Sequence, residues 1–143
     1  MLTFSDLLGQ TVAMLEADGT DPDGPVPRRG LLLAAHAGLT VDRDSPVADG
    51  WDLYTVAIDE AITALHADLP HDMVLDADIP DAGRDDPGLR ELIRTLVGRL
   101  ADQYAAAAAG VDGRAGPEDS RPWRRQVWAN VAHRLDHAVS QLV

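Results

Sequence analysis

The sequence has no cysteine and no lysine, a single asparagine (Asn130) and only four glutamates, Glu16, Glu60, Glu91 and Glu118. Without cysteine there is no disulfide framework, no thiol nucleophile and no cysteine-based zinc site. No apolar run approaches the ~18 residues that would span a bilayer, and residues 1–25 lack a charged stretch followed by a long apolar core. The expectation is a cytoplasmic protein that makes no use of a membrane. All 12 basic residues are arginine, and the other 20 acids are aspartate. Together with 22 alanines, this bias is what GC-rich coding produces, so the missing lysine is not read as selected chemistry.

What is present is acid and apolar bulk. The formal net charge is −12 over 143 residues, which argues against nucleic acid or anionic lipid as a partner of the whole chain. A chain of this size buries roughly two-thirds of its extended surface, and 45% hydrophobic residues suffice to fill that core. These bounds describe a single acidic helical domain over residues 1–143 and leave its activity unspecified.

The apolar period of 3.6 residues and the end signals predict five helices and no strand. The first covers about 4–17, with Thr3 as N-cap, Asp6 in the first turn and a stripe of Phe4, Leu8, Val12 and Leu15. The second covers about 28–37 and stops at Gly38 as its C′ residue; being apolar nearly all round, it is expected to be buried. The third covers about 51–69, with Tyr54, Ile58, Ala61, Ile62, Leu65 and Leu69 on one face. An acidic connection over 70–86 follows, long for a bundle. The fourth covers 87–109, with Asp86 as N-cap, Pro87 at N1, Gly110 as C′ and a stripe of Leu89, Leu92, Ile93, Leu96, Leu100 and Tyr104. The fifth covers about 122–142, capped by Ser120, with Val127, Val131, Leu135, Ala138 and Leu142 in line. The fold class is all-α, a four- or five-helix bundle.

Two histidines, His133 and His137, stand four residues apart on one face of the fifth helix, the spacing at which a helix shares a metal between two imidazoles. The phrase from His133 to Leu142 (His-Arg-Leu-Asp-His-Ala-Val-Ser-Gln-Leu) is similar to the histidine-rich helix of DinB-like bundles. That resemblance implies a four-helix protein whose three histidine ligands hold a divalent metal, zinc or nickel, for thiol-dependent or still undefined chemistry. It covers ten residues and leaves the third ligand unassigned; His36 and His66 are candidates by count. Helical arithmetic at about 100° per residue sets His133 roughly 180°, and His137 roughly 140°, from the apolar stripe, among Gln126, Asn130, Ser140 and Gln141. That is the pattern of a solvated face, so no cofactor is expected and metal is the alternative.

Other patterns are weaker. His36 shares a face with Leu32, Ala35 and Leu39, as a hydrogen-bonded core histidine does. Asp52, Asp59 and His66 form a polar ridge at heptad spacing, two turns apart and so out of mutual contact. Asp76-Ala-Asp78 begins like a calcium loop, but Pro80 and Asp81 occupy its fifth and sixth positions. The segment 34–40 fits the turn of a helix-turn-helix, yet Asp42, Asp44 and Pro46 follow where a basic recognition helix belongs. Nucleophile-elbow, Walker and dinucleotide-binding signatures are absent.

Charge is divided unevenly. Residues 1–113 hold 7 arginines and 21 acids, net −14, whereas residues 114–143 hold 5 arginines and 3 acids, net +2. Arg121, Trp123, Arg124 and Arg125 form the basic–aromatic cluster, residue types enriched at protein interfaces. The sequence therefore points first to a non-catalytic interaction module with a protein partner or a second copy of itself. A DinB-like metal enzyme using His133 and His137 is the alternative, and an acidic nucleic-acid mimic the second.

Overall fold

A computed structural model describes residues 3–18, 25–42, 50–65, 80–84, 86–109 and 122–142. Among the described residues five helices make up the body: α1 (Phe4–Asp18), α2 (Pro25–Thr40), α3 (Trp51–Leu65), α4 (Pro87–Ala109) and α5 (Pro122–Gln141). The fold is an all-α five-helix bundle. No helix among the described residues is long and apolar enough to cross a membrane.

The helix ends follow from their capping chemistry. At α1, Thr3 and Asp6 cap each other: the Asp6 N–H donates to Thr3 Oγ1 (3.1 Å) and the Thr3 N–H to Asp6 Oδ2 (3.0 Å). The Thr3 N–H first, and the Thr3 hydroxyl second, hold the Asp6 carboxyl below its ordinary range. At α4, the Leu89 N–H donates to Asp86 Oδ1 at 2.7 Å, with Pro87 following the cap. Ser120 and Gly110, the other expected caps, lie outside the described residues, as does the stretch 66–70 at the expected end of the third helix.

Helix α2 departs from the sequence reading. It begins at Pro25, three residues earlier than expected, because prolines in a first turn lack N–H groups that the helix does not need. It also runs through Gly38 to Thr40. Gly38 is not a C′ residue. It is the point of close approach to α3, where a β-carbon would collide with Thr55 Oγ1 and press on Tyr54. Nor is α2 buried all round: Leu31, Leu33, Ala34 and Ala37 are buried, Leu32 and Ala35 are half-buried, and Leu39 is 65% exposed.

The expectation of no strand is corrected by one short parallel pair. Strand β1 (Val41–Asp42) pairs with β2 (Gly83–Arg84), Val41 opposite Gly83 and Asp42 opposite Arg84. The pair ties the end of α2 to the segment that leads into α4.

The core is one continuous cluster. Helix α5 packs across both α4 and α3, α1 lies on α4, and α2 fills the space between α1, α3 and α4. Leu8, Leu31, Ile58, Ile93, Leu96, Leu100 and Leu135 are fully buried, together with Trp51, Tyr54 and Tyr104. The Trp51 and Tyr54 rings meet edge to face at 5.3 Å, and the Arg90 guanidinium lies 5.4 Å from the Trp51 ring. Leu92, expected in the buried stripe of α4, is exposed; Val97 and Ala101 fill that stripe instead.

Candidate functional site

His36 is a structural histidine. Its ring is buried beside Phe4, with centroids 5.7 Å apart, and Nε2 donates to the Pro80 carbonyl at 2.9 Å. A carbonyl only accepts, so Nε2 carries the proton. One turn further on, Thr40 Oγ1 donates to the His36 carbonyl (2.8 Å) and accepts from the Ala82 N–H (2.9 Å). His36 and Thr40, with the β1–β2 pair, strap residues 80–84 against the end of α2. The helix-turn-helix pattern at 34–40 is thus continuous helix, with no turn at Gly38.

His133 and His137 are both exposed, on the side of α5 opposite the buried Val131, Leu135 and Ala138. His137 Nε2 stands 3.5 Å from Gln141 Nε2, and Ser140 Oγ donates to the His137 carbonyl at 2.6 Å. Among the described residues no three histidine, aspartate or glutamate side chains gather so that they could hold a metal. His36, a candidate third ligand, is committed to Pro80 inside the bundle; His66 lies outside the described residues. Asp52 and Asp59 are exposed on α3.

The basic–aromatic cluster is described only in part. Arg125 is half-buried on α5; Arg121 and the side chains of Trp123 and Arg124 lie outside the described residues. The calcium-like segment at 76–78 also lies outside them.

A different surface stands out on α2 and α3. Leu39 is 65%, Leu53 58% and Val56 52% exposed. Leu53 and Val56 stand one turn apart on the outer side of α3, the side on which Glu60 pairs with Arg134 of α5, whereas Leu39 follows Gly38, where α2 touches Thr55 on another side of α3. Exposed Asp59 follows Val56 by one turn, and exposed Asp42 follows Leu39. Sequence reasoning missed this surface, although part of the signal was available. On α3, Val56 falls about 170° and Leu53 about 110° from the centre of the Tyr54–Ile58–Ala61–Leu65 stripe. Isolated exposed leucines are ordinary, whereas neighbouring ones mark contact surfaces.

Comparison with protein-family models, with curated proteins and with solved structures finds no match to this chain.

Proposed function

We propose that this chain is a non-catalytic helical module that works by binding another macromolecule. The observation that carries this reading is the outer side of α3, where Leu53 and Val56, one turn apart, present aliphatic surface to water beside exposed Asp59; Leu39 of α2 is exposed as well. Leaving three such side chains little more than half exposed forgoes roughly 1–2 kcal/mol of burial each, a cost that a covering partner recovers. The DinB-like reading has less behind it. His133 and His137 face away from the core, and no third donor stands with them among the described residues. For a nucleic-acid mimic, the apolar side chains of this surface are the wrong chemistry, since a phosphate-like face is polar throughout.

A photo-crosslinking residue placed at Val56 tests the proposal, with exposed Thr95 on α4 as the control position. The expected result is a discrete adduct from Val56 and none from Thr95. Turnover that requires zinc or nickel and is lost in His133→Ala and His137→Ala would overturn it in favour of the metal enzyme.

A further inference from the structure

His133 and His137 lie four residues apart on α5, and both are exposed. Four residues advance a helix by about 400°, so the two side chains point about 40° apart, on successive turns, with their β-carbons roughly 5–6 Å from each other. A metal ion takes histidine nitrogens at about 2.0–2.1 Å, a distance that imidazoles on neighbouring turns reach together. The pair faces solvent, so an ion enters without opening the bundle.

The surroundings suit a cation. Gln126, Asn130 and Ser140, on the same side of α5, are uncharged. The neighbouring base, Arg134, is held by Glu60 and so drawn toward α3. Exposed Asp136 stands three residues after His133 and adds negative charge, and the chain carries net −12. A lone pair is available too. The Gln141 amide N–H donates to His137 Nε2 at 3.5 Å, so this nitrogen accepts and the ring proton sits on Nδ1. A bond that long is readily exchanged for a metal. Ser140 Oγ is turned to the His137 carbonyl and does not compete.

We propose that His133 and His137 form a surface chelate for a borderline divalent ion, copper, nickel or zinc, with copper held most tightly. Imidazole suits these ions, whereas calcium and magnesium take oxygen. Two nitrogens fill half of a tetrahedral sphere, and water holds the rest, so the ion exchanges readily. This is not a bundle-core site: both donors come from one helix and face away from the buried Val131, Leu135 and Ala138. The two imidazoles are held at chelating distance only while α5 is helical. The folded chain therefore binds the ion better than the unfolded one, and the ion stabilises it. The site does not rest on the interaction reading above.

Titration of the full chain with copper, nickel and zinc chlorides tests this, read by calorimetry and, for copper, by broadening of backbone amide resonances. The expected broadening is centred on the last turns of α5. His133→Ala and His137→Ala each leave a single imidazole and are expected to weaken binding at least about tenfold. Both positions are exposed, so circular dichroism should show the fold intact. Gln141→Ala releases His137 Nε2 and is expected to bind at least as tightly as the wild type. Nickel is expected to raise the urea midpoint of the wild type and not that of the doubly substituted chain. Wild-type affinity in either single variant overturns the proposal, as does copper broadening centred on α1 to α4.

Discussion

Gly50 and the carbonyl of Gln141 are in such close contact that a β-carbon at position 50 would lie inside the oxygen's van der Waals shell. Gly50 also has φ of 89°, and its own carbonyl accepts the Tyr54 N–H at 2.9 Å to start α3. The start of α3 and the end of α5 are thus locked together through one residue without a side chain. Gly50→Ala adds left-handed strain to a clash with backbone, and neither is relieved by a rotamer change. The expected loss is about 2–4 kcal/mol, read from urea unfolding.

The other glycines separate into opposite responses. Gly38→Ala drives a methyl group into Thr55 Oγ1, a buried atom that makes no hydrogen bond among the described residues. It is expected to cost about 1–2 kcal/mol despite alanine's better helix propensity. Adding Thr55→Ala should recover most of that loss, giving a strongly non-additive double-mutant cycle. Gly9 in α1 and Gly98 in α4 have nothing within 4 Å of the would-be β-carbon. Alanine at each should instead raise stability by about 0.5–1 kcal/mol.

Tyr54 sets an alkaline limit. Its ring is fully buried, its hydroxyl donates to the Ala34 carbonyl at 2.7 Å, and burial pushes the phenol well above its ordinary value of 10.0. Above pH 10.0 the unfolded phenol releases its proton while the folded one keeps it. The unfolded state then binds fewer protons, so stability is fully present below that pH and falls as pH rises, by about 1.4 kcal/mol per unit. Denaturation between roughly pH 10 and 12 should show this slope in the wild type and a shallower one in Tyr54→Phe. The variant is also expected to lose about 1 kcal/mol at neutral pH.

The strap over α2 is open to hydrogen exchange. Thr40→Val removes the acceptor of the Ala82 N–H, whereas Thr40→Ser keeps it. The Ala82 amide should exchange at least about tenfold faster in the valine variant and near the wild-type rate in the serine variant. His36→Phe keeps a ring beside Phe4 but removes the donor to Pro80, and is expected to loosen the same residues.

The parts of this fold readable from sequence were those whose local and tertiary preferences agree. Helix α4 shows this best: Asp86 and Pro87 begin it, a long stripe sustains it, and its residues are 87–109 as expected. His36 was likewise legible as a hydrogen-bonded core side chain, although its partner Pro80 was not. Helix α2 shows the opposite. Its prolines resemble loop and its Gly38 resembles a stop, while the glycine is required by the Thr55 side chain of another helix. Grouping Leu39 with His36 on one apolar face implied a core position for it, whereas it is exposed. The β1–β2 pair has two residues in each strand, too few to leave a period, and its partners are some forty positions apart.

The place of α5 across both α3 and α4 has a consequence for how the chain is made. A ribosome adding about 5–20 residues per second needs roughly 3–12 seconds to pass from the end of α3 to the start of α5. Over that interval α4 is made while the element that packs across both α3 and α4 is still missing. The faces of α3 and α4 that α5 covers therefore stay open until it is made, and a nascent chain that stalls before position 122 offers them to chaperones and proteases.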